Sequence, residues 1–223
     1  MTSSTSQSLS IAKEEITVQT IFLYIPNIIG YLRIVTAVIS FICMSRFPIT
    51  TVIFYGISSF LDAFDGYAAR KFNQGTRFGA VLDMVTDRCA TSSLIVYLAI
   101  IYPRFTVIWQ LLVSLDLASH YIHMYGMLSA GSLSHKNVEA SQSKLLNLYY
   151  TNRKVLFAVC ALNELFYVAI YLKYYGFFWL GTVMAVLSTP IWVFKQIANV
   201  IQLQSALLIL ARMDVEEHKN KKR

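Results

Sequence analysis

Apolar and polar positions along this chain fall into long blocks. The period-two alternation of a half-buried strand and the narrow stripe of a surface helix are both absent. Six apolar stretches, near 23–44, 48–66, 80–101, 106–129, 155–174 and 177–205, are separated by short polar connectors. About 20 mostly apolar residues carry a helix through a hydrocarbon core about 30 Å thick. A spanning segment must also satisfy its own backbone N–H and C=O groups, which a helix does. The pattern therefore predicts an all-α polytopic integral membrane protein with six transmembrane helices. Residues 1–10 (MTSSTSQSLS) are Ser/Thr-rich and read as a disordered tail. They are not a secretory signal, since no basic segment precedes an apolar core. Residues 11–20 are weakly amphipathic and predict a short N-terminal interfacial helix, although a frayed helix start accounts for them equally well. Pro26 falls near the start of the first span, where a helix tolerates proline. Residues 11–211 read as a single membrane domain and 212–223 as a basic tail. No internal repeat or separate soluble domain is visible.

Composition strengthens this reading. Hydrophobic residues make up 56% of the 223 positions and charged ones only 14%, where a soluble domain carries about 25% charged residues. The net charge is +7, and its placement says more than its size. With the N-terminus in the cytosol, six spans return the C-terminus there. Fourteen basic residues then border the cytosolic side, three lie opposite (Arg46, Arg104 and Lys173), and two lie within spans (Arg33 and Lys195). This is a positive-inside distribution, and a basic face suits anionic headgroups and phosphorylated substrates. A nucleic-acid role has no support, because the aromatics lie in the spans and not among the surface charges. Cys43, Cys89 and Cys160 fall in apolar stretches, lack metal or redox spacing, and read as small buried hydrophobes.

Candidate chemistry concentrates at the ends of the second and third spans. Asp62 and Asp65 are three positions apart, and Asp83 and Asp87 four. Each spacing puts a pair on one helix face. The connector near 67–78 is short, which predicts antiparallel neighbouring helices and four converging carboxylates. Each acid costs about 2.5–3.5 kcal/mol to insert at a membrane interior, and like charges add to that. Divalent cations are the natural compensation, and all-carboxylate donors favour Mg²⁺ or Mn²⁺ over zinc. Two such ions would also bind a pyrophosphate. Salt bridges to Arg70, Arg77 or Arg88 are the structural alternative.

The residues between the acids sharpen this picture. Gly66 and Gly79 let backbone approach a ligand closely, Ala69 keeps a helix face small, and Arg70 supplies a forked contact for phosphate. Written out, the segment is D62-A-F-D65-G66-Y-A-A69-R70-x8-G79-A-V-L-D83-M-V-T-D87. It resembles, at every specified position, the signature D-x2-D-G-x2-A-R-x8-G-x3-D-x3-D of the CDP-alcohol phosphatidyltransferases. The resemblance implies that Asp62, Asp65 and Asp83 are metal ligands. It implies that Asp87 is the general base and also a metal ligand. It makes Gly66, Ala69, Arg70 and Gly79 the walls of the cytidine-diphosphate site, with two Mg²⁺ or Mn²⁺ ions per active site on the cytosolic side. Upstream, P26-N27-x5-R33 is similar to the family's first-span element, so Asn27 and Arg33 are expected to help hold the phosphates of CDP-diacylglycerol. A buried arginine paired with an acid is the alternative for Arg33.

The signature defines the donor and leaves the acceptor open. Segments 25–34, 119–125, 131–136, 148–153 and 162–166 resemble the eukaryotic phosphatidylinositol synthases, which implies myo-inositol as acceptor. A neutral polyol needs many hydrogen-bond partners and little net charge. Ser132, Ser134, His135, Asn152, Asn163 and Glu164 are the candidates, against ordinary solvated polarity for the loop residues and a bundle hydrogen bond for Asn163 and Glu164. Asp116, His120 and His123 share a face but are too few for a transition-metal site, and internal hydrogen bonding is the preferred reading. Lys195 has no assigned role. Two alternatives stand beside inositol transfer. One is the same chemistry on glycerol phosphate, serine or an inositol phosphate, and the other is a divalent-cation transporter. The C-terminal KNKKR fits a K-x-K-x-x retrieval signal, and with the resemblance it implies a homodimer in the endoplasmic reticulum membrane with both termini cytosolic.

Overall fold

Local chemistry marks where each predicted span begins. Pro26 and Pro48 occupy the first turn of their helices, where the missing N–H is no loss. The Thr76 hydroxyl accepts from the Gly79 N–H at 3.0 Å. The Asn152 side chain accepts from the Lys154 N–H at 3.0 Å. These starts define the elements of the computed structural model, which describes residues 16–130 and 152–221. They are α1 (Val18–Phe22), α2 (Ile25–Cys43), α3 (Pro48–Lys71), α4 (Arg77–Ile101), α5 (Thr106–Ala130), α6 (Arg153–Tyr174) and α7 (Phe178–Lys221), with a short 3-10 turn at Pro103–Phe105. There is no strand among the described residues. The all-α polytopic reading therefore holds.

Five of these helices are long and apolar enough to cross a membrane: α2, α4, α5, α6 and α7. Helix α3 has 24 residues, about 36 Å at 1.5 Å per residue. It falls outside that group because Ser58, Ser59, Asp62 and Asp65 interrupt its apolar run. Three boundaries differ from expectation. Where the interfacial helix was expected, the described residues form a helix at Val18–Phe22 that runs past residue 20, and positions 11–15 lie outside the described residues. Helix α3 runs on to Lys71, so the aspartates lie within helices and not at their ends. Helix α7 continues unbroken for 44 residues, so the described part of the basic stretch, 212–221, is helical and forms its last turns. The ion pair of Lys221 with Glu217, at 2.6 Å, spans one turn there.

The packing also departs from the expected α3–α4 hairpin. Those two helices barely touch, and α2 packs against both. Helix α7 packs on α5 and α6, while α4 joins the two groups through α5 and α6. The α6–α7 crossing is close: a Cβ on Gly181 would lie 2.6 Å from the Ala169 carbonyl oxygen. Small residues of this kind let membrane helices approach. The apolar core lies toward the end of the bundle away from the aspartates, around Leu94, Ile95, Leu98, Trp109, Tyr167, Tyr171 and Leu172. The Tyr171 hydroxyl donates to the Met44 carbonyl at 2.8 Å there. Large apolar side chains such as Ile42, Ile100, Val107, Leu111, Trp179 and Leu187 point outward, as lipid-facing positions should. Cys89 is exposed and Cys43 and Cys160 are half-buried, which corrects the expectation of three buried thiols. The outer face of a membrane helix is apolar and accessible at once.

Candidate active site

The buried face of α2 carries Asn27, Gly30, Arg33, Ala37 and Ser40, a helical spacing that aims Arg33 between α3 and α4. Its side chain is 1% exposed. Nη1 donates to Asp65 Oδ2 at 2.6 Å and to Asp83 Oδ1 at 2.6 Å. It also lies 2.9 Å from Asp62 Oδ1. Nη2 donates to Asp87 Oδ1. The four aspartates thus converge, as their spacing predicts, but around a guanidinium from a third helix. Arg88 adds a weaker contact, Nη2 lying 3.6 Å from Asp87 Oδ2. No ion pair to these acids from Arg70 or Arg77 appears among the described contacts.

Four carboxylates exceed the charge of one guanidinium and the edge of a second. One oxygen each from Asp62, Asp83 and Asp87 lies within 4.8 Å of the others, close enough to share a cation. Oxygen-only donors with excess negative charge fit a hard divalent ion. Asp65 is the most buried of the four, at 7% exposure, and stands apart from that trio.

Two cavities flank the cluster. The smaller, about 150 Å³, is lined by Asn27, Gly66, Ala69 and Gly79 together with Asp65 and Asp83. Four of the residues expected at the cytidine-diphosphate site therefore share one wall. A Cβ on Gly79 would lie 2.8 Å from Asn27 Oδ1, so only glycine permits that approach. The Asn27 amide is held by donation to the Ile21 carbonyl at 2.6 Å. Arg70 is not on this wall, and its guanidinium folds back over Gly66, 3.3 Å from where a Cβ would stand.

The larger cavity, about 320 Å³, lies on the other side, bounded by Asp62, Asp87, Arg33 and Arg88. It runs down between α3, α4 and α6 past Val52, Phe157, Leu165, Val168 and Met184, and is mostly apolar. Its neutral polar lining is Ser58, Ser59, Thr86, Tyr55 and Thr91, and Glu164 adds a carboxylate to it. The Tyr55 hydroxyl donates to Glu164 Oε2 at 2.6 Å, and the Thr91 hydroxyl to Oε1 at 2.9 Å.

The expected acceptor residues divide. Ser132, Ser134 and His135 lie outside the described residues. Asn152 caps α6. Asn163 is buried and accepts from Gln196 of α7 at 3.2 Å, so it joins helices and does not line either cavity. Glu164 alone reaches the larger cavity. Asp116 proves to be the partner of Arg88, which donates to both its oxygens at 2.7 and 2.8 Å. His120 Nδ1 is 2.8 Å from the Asp116 carbonyl oxygen, and Lys195 Nζ is 3.5 Å from His120 Nε2. Internal hydrogen bonding thus accounts for Asp116 and His120. Tyr55 and Thr91 were not anticipated. Arg88 is buried inside α4, which corrects its placement with the basic residues of the cytosolic border; the signal for its pairing with Asp116 was that both fall in apolar stretches, where charges need partners.

A family profile described as CDP-alcohol phosphatidyltransferase matches residues 23–219. A Candida albicans protein named CDP-diacylglycerol–inositol 3-phosphatidyltransferase is 75% identical, over 94% of this chain and 91% of that relative. Proteins of the same name from Saccharomyces cerevisiae and Homo sapiens are 48% and 46% identical, over 93% and 92% of this chain and 95% and 99% of theirs. No solved structure matches. The signature aspartates meet at one point, its glycines line one cavity beside them, and the profile runs almost the length of the bundle: the chain belongs to the CDP-alcohol phosphatidyltransferase family.

Proposed function

We propose that this protein transfers the phosphatidyl group of CDP-diacylglycerol to myo-inositol, giving phosphatidylinositol and CMP. The observation that carries this is a carboxylate cluster with a signature-lined cavity on one side and a larger, mostly apolar one on the other. In-line displacement at phosphorus needs leaving and entering groups on opposite faces. The smaller cavity receives the cytidine diphosphate against Gly66, Ala69, Gly79 and Asn27, with Arg70 at its edge. The larger cavity admits the acyl chains from the lipid side. Inositol as acceptor is supported by the names of the relatives.

Asp62, Asp65, Asp83 and Asp87 would hold Mg²⁺ or Mn²⁺, and two such ions would match the charge of the cluster. Bound there, divalent ions supply charge stabilisation at the phosphoryl oxygens and the leaving group. Asp87 faces the larger cavity and takes the proton of the attacking inositol hydroxyl. The new oxygen–phosphorus bond forms at the phosphorus nearer the lipid. The bond from that phosphorus to the bridging oxygen breaks, and CMP leaves. Arg33 orients the four carboxylates and offers its charge to the phosphates. On this reading the protein works in the endoplasmic reticulum membrane as a homodimer, with both termini cytosolic. The bias of basic residues to one side supports the cytosolic placement of the termini.

The test is CMP release by the purified protein in detergent with Mg²⁺ or Mn²⁺, with and without chelator. Inositol, serine and glycerol 3-phosphate are supplied separately. Inositol-dependent, chelator-sensitive release is expected. Release with glycerol 3-phosphate and none with inositol overturns the assignment.

A further inference from the structure

If the nucleotide lies on the Asp65–Asp83 side, the attacking hydroxyl comes from the Asp62–Asp87 side, where the larger cavity opens. Its hydroxyl-bearing wall is neutral apart from Glu164, and its charges are largely committed. Arg33 and Arg88 are the two cationic groups lining it among the described residues. Arg33 is bonded to the four aspartates, and Arg88 is held by Asp116. Against them stand Asp62, Asp87 and Glu164. A phosphomonoester brings close to two further negative charges at neutral pH and finds no uncommitted arginine in this wall.

Glu164 has room for one more donor. A carboxylate offers about four lone-pair sites. Tyr55 takes one on Oε2, while Thr91 and the Asn163 amide, at 3.3 Å, take two on Oε1. The Thr91 hydroxyl also lies 3.1 Å from the Asp87 carbonyl oxygen, so Glu164 sits about one helical turn from the base.

We propose that Glu164, oriented by Tyr55 and Thr91, is the hydroxyl-binding residue of the acceptor site and selects a neutral polyol over a phosphorylated one. This rests on the assignment of inositol as acceptor. An acceptor-only oxygen suits a ring whose every substituent is a donor, and its charge disfavours phosphate.

The experiment uses the full chain in detergent with saturating Mn²⁺. It measures KM for myo-inositol and for CDP-diacylglycerol, kcat, and use of inositol 1-phosphate, for wild type, Glu164→Gln and Tyr55→Phe. Loss of a hydrogen bond to a charged group predicts about a tenfold rise in inositol KM for Glu164→Gln and a smaller one for Tyr55→Phe. KM for CDP-diacylglycerol should stay within about twofold. Glu164→Gln should also gain relative activity on inositol 1-phosphate. An unchanged inositol KM in an active variant overturns the proposal. So does a fall in kcat with both KM values unmoved, which marks a purely structural role. Should Glu164→Gln not fold, Tyr55→Phe decides, since it removes one hydroxyl. If wild type shows no inositol-dependent CMP release, the acceptor assignment itself fails, and this proposal with it.

Discussion

The contacts of Arg33 and Gly79 give two side-chain tests of the site. Asp87→Asn removes the proposed base but leaves Arg33 bonded to three other carboxylates. Transfer should fall by about 100-fold or more, with little change in melting temperature. CMP release together with a thermal melt checks both. Gly79→Ala sets a methyl 2.8 Å from Asn27 Oδ1, where the amide must shift. KM for CDP-diacylglycerol should rise several-fold while the inositol KM holds, and steady-state kinetics separates them. The signature residues were legible because their identities and spacing lie within one short segment. The Glu164 partners were not. Tyr55 and Thr91 are separated from it by 109 and 73 positions, and no local spacing encodes such contacts. Arg33 was legible as a polar anomaly in the first span, and its four partners became visible only when α2 was seen between α3 and α4.

Helices were the most legible scale, because each span must satisfy its backbone internally and announces itself by its apolar length. What hydropathy could not show was which helices touch. A short connector suggested α3 against α4, yet α2 separates them with a guanidinium that both aspartate pairs need. Nor did hydropathy show that α7 continues past the apolar stretch, since propensity and i,i+4 ion pairs extend a helix into polar sequence. Two contacts between elements give tests. Gly181→Leu forces a side chain against the Ala169 carbonyl, and overpacking of this kind costs about 1–3 kcal/mol. A lower melting temperature in detergent should follow. Asp116→Asn leaves Arg88 buried with weakened compensation, and breaking a buried pair costs about 3–5 kcal/mol. Replacing both partners with apolar residues of similar size should cost less than that single change, and a double-mutant cycle by thermal denaturation measures the difference.

At the level of the whole molecule the two ends differ. One holds acids, arginines and cavities, the other an apolar and aromatic core. Stability should therefore respond to divalent ions at one end only. Mn²⁺ should raise the melting temperature, by about 2.7 kcal/mol of stabilisation at 100 times its Kd. A chelator should reverse the shift, and Asp62→Asn with Asp83→Asn should abolish it. The weak apolarity of α3 has a consequence for how the protein is made. With two serines at its middle and two aspartates in its second half, α3 is less apolar than the helices around it and should partition poorly into lipid alone. Helix α2 supplies what it lacks: Arg33 for Asp62 and Asp65, the Ser40 hydroxyl for the Thr51 carbonyl at 3.1 Å, and an acceptor for Ser58 at 3.0 Å. We infer that the two enter the bilayer together as a helical hairpin, so that biogenesis has an obligatory order. In a glycosylation-mapping assay, α3 expressed alone should fail to insert, α2–α3 should insert, and Arg33→Leu should lower the inserted fraction of the pair even though it makes α2 more apolar.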